Sequence, residues 1–280
     1  MSQAKIQACI IGWPVAHSRS PIIHGYWLKK YGIDGSYTKR AVQPDEVAGF
    51  LRGLREEGFA GCNVTIPHKE AAFAAAAEKS EAARAMGVAN TLWFEGDRLC
   101  ADNTDGAAFV RHLRASVPRF DANGCAVAVL GAGGGARGVI HAILMAGAPE
   151  VRVFNRTRDR ADVVARHFGS RVKPYDWRDR VDRARDVGLL VNATALGMHG
   201  TAGLDMPLAQ LADACVVADL VYVPLETPLL AAARARGLAT VDGLGMLLHQ
   251  AAPGFEKWFG VKPAVTDELR ALLVADIEGR

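Results

Sequence analysis

Residues 125–144 read CAVAVLGAGGGARGVIHAIL, and this stretch decides the fold of the region around it. The apolar residues up to Leu130 are typical of a buried strand, the glycines after it form a turn, and apolar residues at helical spacing follow. A helix that opens after such a turn points its unpaired N–H groups beyond the strand, where a pyrophosphate fits. The spacing Gly131-x-Gly133-x-x-Ala136 matches the dinucleotide fingerprint, with alanine at the small third position. We interpret the stretch as a nucleotide site rather than a plain tight turn.

The composition of the chain limits its class. Half of the 280 residues are hydrophobic, and at about 150 residues per domain this length predicts two domains. The 33 Lys and Arg residues nearly balance the 30 Asp and Glu residues, so the net charge of +3 does not indicate a nucleic-acid partner. The five cysteines form no C-x-x-C pair, which indicates reduced cysteines used for packing. No apolar run approaches the ~20 residues of a membrane span, so we expect a cytoplasmic protein with no membrane segment.

Strand-like and helical segments alternate before the glycine turn. The strand-like segments are 6–11, 36–42 and 59–64, and the helical segments are 21–31, 45–57 and a further one from about 68. Thr91–Phe94 and Arg98–Ala101 flank Glu95-Gly96-Asp97, which predicts a hairpin. This alternation predicts an α/β domain with a mostly parallel sheet.

The same alternation continues after the glycine turn. Strand-like segments at 151–154, 188–192, 216–220 and 239–241 enclose helical segments at 160–168 and 228–236. They predict a doubly wound, Rossmann-type domain. Helical patterns at 244–258 and 266–277 are expected to return to the first domain. The predicted domains are therefore residues 1–104 with 243–280, for the substrate, and residues 105–242, for the nucleotide.

The end of the second strand of the nucleotide domain bears on the choice of cofactor. An NAD site places an acidic residue there, to accept hydrogen bonds from the ribose hydroxyls. Asn155 stands at this position, and an amide does not repel a 2′-phosphate. Arg156 and Arg158 can bind such a phosphate through charge-assisted hydrogen bonds. The pattern favours NADP over NAD, and the alternative is a solvated run of surface arginines.

Two serines stand at the start of the first predicted helix. Ser20 followed by Pro21 is typical of an N-cap and N1 pair, so the alternative for Ser20 is that it only caps this helix. Ser18 has no such structural explanation. Two hydroxyls beside a helix N-terminus suit a small carboxylate ligand, which gains both hydrogen bonds and the helix dipole.

Thr65 and Lys69 follow a strand and open a helix. This places them at the carboxyl end of the strand, where open α/β sheets bind ligands. The alternative for Lys69 is an ordinary surface lysine, and Asp105 in the first turn of a helix could simply complement its dipole. No histidine forms a metal-ligand set with acids or cysteines at usable spacing, so we predict no metal site.

Taken together, the motifs resemble the shikimate dehydrogenase family over nearly the full length of the chain. Nine motifs match in order: His17-Ser18-x-Ser20-Pro21, Asn63-Val-Thr65-x-Pro67-x-Lys69, Gly87-x-x-Asn90-Thr91, Asn103-Thr104-Asp105, the glycine turn at 131–136, Asn155-Arg156-Thr157, Asn192-Ala-Thr194-x-x-Gly197-Met198, Asp219-x-x-Tyr222-x-Pro224 and Gly243-x-x-Met246-x-x-x-Gln250. The resemblance implies reversible reduction of 3-dehydroshikimate to shikimate by NADPH, a step of aromatic amino-acid biosynthesis.

The resemblance also implies which residues bind and which react. The substrate side comprises Ser18 and Ser20 for the carboxylate, Thr65, Asn90 and Gln250 for the ring hydroxyls, and Tyr222. Lys69 and Asp105 would be the catalytic pair. Such a pair is needed because a ketone that accepts a hydride builds negative charge on its oxygen, which must be stabilised and protonated. The sequence leaves open which of the two groups moves the proton.

The cofactor side implied by the resemblance has three parts. Gly131, Gly133, Gly134, Gly135, Ala136 and Arg137 would face the pyrophosphate; Asn155, Arg156, Thr157 and Arg158 the 2′-phosphate; and Thr194, Met198, Val221, Gly243 and Met246 the nicotinamide. Tyr222 as a core aromatic, and Met198 and Met246 as packing residues, are the alternatives. An NAD-linked quinate or shikimate dehydrogenase is the alternative function, followed by a non-catalytic nucleotide sensor. We expect a monomer or a homodimer with a small-molecule substrate.

Overall fold

The computed structural model describes residues 5–279, which form two compact α/β units. One unit comprises the chain up to Thr104 together with Leu247–Leu273. The other comprises Asp105–Met246 with the residues from Val274 onward. Within residues 5–279, no helix has the length and apolar character needed to cross a membrane.

A six-stranded sheet forms the centre of the first unit. Its strands are β1 (Ile6–Gly12), β2 (Gly35–Ala41), β3 (Phe59–Val64), β4 (Glu78–Lys79), β5 (Thr91–Glu95) and β6 (Arg98–Asp102), in the order β2-β1-β3-β5-β6-β4. Strand β5 runs antiparallel to β3 and β6, and the other pairings are parallel. Helices α1 (Ser20–Lys30), α2 (Val47–Gly53), α3 (Lys69–Ala75) and α4 (Glu81–Met86) connect the strands. The prediction of a mostly parallel sheet is confirmed.

The hairpin predicted in this unit is also confirmed. Strands β5 and β6 pair along their whole length, and Gly96 at the turn has a φ of +59°, which favours glycine. The core beneath the sheet includes Cys9 of β1 and Cys62 of β3, which lie opposite each other in register. All five cysteines are free thiols.

The C-terminal helices are α9 (Gly243–Phe259) and α10 (Asp267–Ile277). Trp258 of α9 donates its Nε1–H to the carbonyl oxygen of Leu92 at 2.8 Å. The hydroxyl of Tyr26 donates to the carboxylate of Glu268 in α10 at 2.6 Å. The predicted return of the C-terminal helices to the first unit is therefore confirmed.

A six-stranded parallel sheet forms the centre of the second unit. Its strands are β7 (Val127–Leu130), β8 (Val151–Asn155), β9 (Val172–Asp176), β10 (Leu189–Asn192), β11 (Val216–Asp219) and β12 (Ala239–Val241), in the order β12-β11-β10-β7-β8-β9. Its helices are α5 (Asp105–Ser116), α6 (Gly134–Met145), α7 (Arg158–Phe168) and α8 (Pro228–Ala235). This strand order is the doubly wound dinucleotide order, so the predicted Rossmann-type fold is confirmed.

Both faces of this second sheet are covered. Val127 and Val129 of β7 pack into one core with Ile140 of α6. Ala128 and Leu130 belong to a second core on the other face. A strand buried on both faces reads as a continuous apolar run, which is why the segment before the glycines predicted a strand.

Strands β4 and β9, which were not predicted, and helix α2 are among the elements that differ from the prediction. Strand β9 was not predicted, because only Val172 is buried and Pro174 lies inside it. A proline is tolerated there because β9 is an edge strand of the sheet. The helix predicted over 45–57 is shorter, and α2 ends at Gly53 with only Val47 and Leu51 buried.

Candidate functional site

The start of α1 does not support the capping alternative for Ser20. The helix begins at Ser20, so Arg19 is the N-cap residue and no side chain makes a capping bond. Instead, Ser18 Oγ accepts a hydrogen bond from Ser20 N at 3.3 Å. The Ser20 hydroxyl is fully buried and has no hydrogen bond of ordinary geometry within residues 5–279. It faces the Tyr37 hydroxyl and lowers the pKa of that group, against the larger effect of burial. Ser20 therefore does not cap the helix, because its hydroxyl is buried in the interior.

Thr65 lies at the carboxyl end of β3, beside the end of β1. Its backbone N–H donates to Ile11 O at 2.9 Å. A Cβ placed on Gly12 would lie 2.4 Å from Thr65 Cγ2, so glycine at position 12 permits this close approach. Lys69 is the first residue of α3 and is partly exposed.

His68, between these two residues, has a structural role. It is buried, and its Nε2 lies 2.7 Å from Val42 O. Among residues 5–279, no group of three or more His, Cys, Asp or Glu side chains is placed to hold a metal ion.

Asn90 and Gln250 lie at the centre of a buried hydrogen-bond network in the first unit. Asn90 Nδ2 donates to Gln250 Oε1 at 3.2 Å and to Thr104 Oγ1 at 3.0 Å. Asn90 Oδ1 accepts from Thr104 N and from Thr91 Oγ1, both at 3.0 Å. The structure thus brings together two predicted substrate residues and fixes the orientation of the Asn90 amide.

Three residues without a predicted role extend this network. Asn63 Nδ2 donates to Thr91 Oγ1 at 3.1 Å, and the Tyr37 hydroxyl donates to Asn63 Oδ1 at 2.6 Å. Burial raises the pKa of Tyr37 well above its ordinary value, so the hydroxyl remains a donor. Asn63 and Thr91 pair in register across β3 and β5. Their presence in two matched motifs on adjoining segments was the signal that could have found them.

In the second unit, the glycine turn leaves the start of α6 open. Gly131 has a φ of +107°, and its N–H donates to Phe154 O at 2.7 Å. Gly133 is the N-cap residue of the 12-residue helix, no side chain caps the helix, and a Cβ built on Gly133 would meet no atom within 4 Å. Open space in front of uncapped N–H groups fits a pyrophosphate. Gly134 and Gly135 open the helix, whereas Ala136 and Arg137 are buried.

In the tip after β8, residues 155–158, the two arginines have different surroundings. Arg158 donates to Asp162 Oδ1 at 3.0 Å, and its guanidinium lies 3.6 Å from Asp176 Oδ2. Arg156 is exposed and forms no ion pair with any residue that the structure describes. Asn155 donates its amide to Thr157 O at 2.8 Å. Together with the open glycine turn, this tip fits NADP, with Arg156 as the cation available to a 2′-phosphate.

Asp105 is the first residue of α5 and is buried. A Cβ on Gly106 would lie 2.6 Å from Gly138 O, and a Cβ on Gly138 would lie 3.0 Å from Asp105 Cβ. The two glycines therefore let α5 pack closely on α6. Asp105 belongs to the second unit and Lys69 to the first.

The remaining predicted cofactor residues have two kinds of position. Thr194, Met198 and Tyr222 are partly exposed and follow β10 or β11, where Val221 is buried. Gly243 and Met246 of α9 are buried, and Met246 belongs to the core of the second unit.

A doubly wound unit with an open glycine turn, accompanied by a second α/β unit rich in buried hydroxyls and amides, defines a dinucleotide-dependent oxidoreductase. Three family models match the chain: the shikimate dehydrogenase substrate binding domain over residues 10–92, shikimate / quinate 5-dehydrogenase over 114–198, and the shikimate 5′-dehydrogenase C-terminal domain over 243–273. The chain is 53% identical over 274 residues to the shikimate dehydrogenase (NADP(+)) of Azorhizobium caulinodans, covering 98% of each chain. This chain therefore belongs to the shikimate dehydrogenase family.

Solved structures share the fold. The shikimate 5-dehydrogenase of Thermus thermophilus, in complex with NADP(H) and shikimate, matches with a TM-score of 0.82 and 37% identity, covering 92% of this chain and 95% of that one. The quinate dehydrogenase of Corynebacterium glutamicum, in complex with NAD, matches with a TM-score of 0.87 and 29% identity, covering 96% and 99%. The resemblance inferred from the nine motifs is confirmed.

Proposed function

We propose that this chain catalyses the reversible NADPH-dependent reduction of 3-dehydroshikimate to shikimate. The observation that carries the proposal is the match over 98% of both chains to a shikimate dehydrogenase (NADP(+)). The exposed Arg156 beside Asn155, where an NAD site would place an acid, supports NADP as the cofactor.

We assign the substrate to the first unit and NADP to the second. In the first unit, Asn90 uses both amide hydrogens and both lone-pair positions on protein groups. A substrate hydroxyl that binds Asn90 must therefore replace one of these bonds. The bond to Gln250 is the one that joins two proposed substrate-binding side chains, so its replacement would free both amides for the ligand.

The proposed chemistry divides between cofactor and protein. When bound, NADPH supplies the hydride. Lys69 stabilises the negative charge that develops on the carbonyl oxygen and donates a proton to it, and in the reverse direction it accepts that proton. Asp105 is the second catalytic group that we propose.

A spectrophotometric assay tests the function. Reduction of NADP with shikimate as substrate is expected to exceed both reduction of NAD and turnover of quinate. Preferred turnover of quinate with NAD would favour the alternative function, and no turnover of either substrate would exclude both dehydrogenases.

A lysine variant tests the catalytic assignment. Lys69→Ala is expected to lower kcat about 10²- to 10⁴-fold, the usual contribution of a general acid, while shikimate still binds. The matched control is Lys173→Ala at an exposed position of β9, which is expected to leave turnover unchanged.

The proposal also includes the cellular location and the oligomeric state of the enzyme. We place it in the cytoplasm, where its five free cysteines would stay reduced. Sedimentation equilibrium would decide between the monomer and the homodimer that we expect.

A further inference from the structure

One buried carboxylate in the second unit, Asp219, joins three segments of the chain. Asp219 and Asn192 end the neighbouring strands β11 and β10 and pair in register. Asp219 Oδ1 accepts from Asn192 Nδ2 at 2.9 Å and from Val221 N at 3.0 Å. Asp219 Oδ2 accepts from Thr227 Oγ1 at 2.7 Å, and Thr227 caps α8. A single side chain therefore restrains the segments after β10 and β11 and the start of α8.

Asn192 transmits this restraint to the segment after β10. Its Oδ1 accepts from Thr194 Oγ1 at 2.7 Å and from Thr194 N at 3.1 Å. Its second amide hydrogen donates to Leu196 O at 3.0 Å. Every hydrogen-bonding position of the Asn192 amide is thus used, and the amide keeps this orientation because Asp219 accepts from it.

The restrained segments lie beside the proposed cofactor residues of the same unit. A Cβ on Gly131 would lie 3.0 Å from Ala193 O and 3.1 Å from Thr194 Cγ2, so the segment after β10 packs against the glycine turn. A Cβ on Gly243 would lie 2.7 Å from Val221 O, so the segment after β11 packs against the start of α9. Thr194 and Val221 are both proposed to lie at the nicotinamide end.

The charge of Asp219 is not needed for packing. The residue is 1% exposed and forms no ion pair within the part of the chain that the structure describes. Burial raises its pKa to about 6, and the hydrogen bonds from Thr227, Val221 and Asn192 act in the opposite direction. A buried carboxylate without a cation destabilises a fold relative to an apolar residue of similar size. The carboxylate instead fixes the geometry of the segments after β10 and β11 and of the start of α8.

We propose that Asp219 is a positioning residue for the nicotinamide end of the cofactor, and that it acts through the Asn192 amide and the Val221 N–H. The inference rests on the proposed function, since it takes NADP as the ligand. Loss of the carboxylate would loosen the segments after β10 and β11. A Cβ on Gly133, the N-cap residue of α6, would meet no atom within 4 Å, so this part of the proposed pyrophosphate site does not contact either segment. The binding of the phosphates by the start of α6 and Arg156 would therefore be affected less than the binding of the nicotinamide.

The test compares NADP with 2′-phospho-ADP-ribose, which has the same phosphates but no nicotinamide. Calorimetry gives the Kd of each ligand without turnover. Asp219→Ala is expected to weaken NADP about tenfold, as the loss of buried hydrogen bonds implies, and to change the Kd of the fragment less than about twofold. Asp219→Asn keeps one oxygen for Val221 and Asn192 and is expected to recover most of the affinity for NADP.

Two further variants separate positioning from stability. Thr227→Val removes the hydroxyl on the other carboxylate oxygen and the cap of α8, and it is expected to lower stability without changing either Kd. Should Asp219→Ala fail to fold, Asn192→Asp breaks the same connection with a residue of nearly the same shape, and the same selective loss of NADP is expected. An equal loss for both ligands, or unchanged binding of NADP, would overturn the inference. A wild-type protein that binds neither ligand would overturn the proposed function instead.

Discussion

The side chains of Asn90 and Gln250 are hydrogen-bonded to each other, Nδ2 to Oε1 at 3.2 Å, although 160 residues separate them in the chain. Both are buried, with 2% and 9% of their surface exposed. Thr104 holds the pair together, because it donates to Gln250 O at 2.9 Å while it accepts from Asn90. The Asn90 amide stays oriented by Thr104 and Thr91 when a ligand replaces its bond to Gln250, which lowers the entropy lost on binding.

Thr91 variants test whether the network orients Asn90. Thr91→Val keeps the shape but removes the donor to Asn90 Oδ1 and the acceptor for Asn63 Nδ2. Since a buried polar group without a partner costs about 1–3 kcal/mol, we expect the KM for shikimate to rise about tenfold and that for NADP to change little. Thr91→Ser retains the hydroxyl and should restore the KM in steady-state kinetics. A Thr91→Val enzyme with an unchanged KM for shikimate would contradict the role of the network.

The two arginines after β8 should differ in their effect on cofactor choice. Arg156→Ala removes the cation proposed for the 2′-phosphate, so we expect the ratio of kcat/KM for NADP to that for NAD to fall about tenfold or more. Arg158→Ala is the matched control, because Arg158 is held by Asp162 and Asp176, and its effect should be smaller. The assignment fails if the control variant loses more preference for NADP than Arg156→Ala does.

Particular elements show which parts of the fold can be predicted from the sequence. The glycine turn predicted the doubly wound sheet because β7 is buried on both faces and must read as an apolar run. Strand β9 could not be predicted in this way, since it is an edge strand with one buried residue. Ser20 showed a second limit, because a hydroxyl beside a proline is typical of a cap whether it faces the helix or the interior.

In the candidate site, too, some features can be predicted from the sequence and others cannot. Motifs predicted which residue types gather around a ligand, among them Asn90, Gln250 and Arg156. They did not predict which groups hold those residues, because hydrogen-bond partners such as Tyr37 and Asn63 meet only in the folded sheet. The motif that contains Asp219 predicts no role for this residue, since its burial follows from the position of β11 inside the sheet and not from its neighbours in sequence.

The buried His24 is expected to make the stability of the fold depend on pH. Its ring is fully buried and stacks on Tyr37 with 3.8 Å between ring centroids. Burial lowers the pKa of His24 from 6.5 to about 3, and a hydrogen bond with Asn63 acts in the opposite direction. The unfolded chain therefore binds a proton at His24 below pH 6.5 and the folded chain does not. Its contribution to the free energy of unfolding is complete above pH 6.5 and is lost progressively as the pH falls towards 3.

Urea unfolding at pH 7 and pH 5 would measure this effect. His24→Phe keeps an aromatic ring in the cluster and cannot take up a proton. At pH 5 the wild type should have lost about 2 kcal/mol relative to this variant, at 1.36 kcal/mol per pH unit below 6.5. The control is Leu54→Val, a buried substitution in the core of the first unit that involves no ionisable group, for which the difference from wild type should not change between the two pH values. Parallel pH dependence of the wild type and His24→Phe would refute the assignment.

Glycine at position 12 should be required for the placement of Thr65. In Gly12→Ala the new Cβ would lie 2.4 Å from Thr65 Cγ2 and 3.1 Å from Ile66 O, so Thr65 must move. We expect a loss of about 1–3 kcal/mol in the free energy of unfolding and a higher KM for shikimate. The double variant Gly12→Ala/Thr65→Ser lacks the clashing methyl group but keeps the hydroxyl, and it should recover part of both losses.

Gly25→Ala is the matched control for this experiment. Gly25 lies inside α1, and a Cβ there would meet no atom within 4 Å. Alanine should therefore stabilise the helix by about 0.5–1 kcal/mol without changing the KM for shikimate. Thermal unfolding and steady-state kinetics on the three variants would separate the two glycines. If the double variant is as impaired as Gly12→Ala alone, the contact with the Thr65 methyl group is not the reason for glycine at this position.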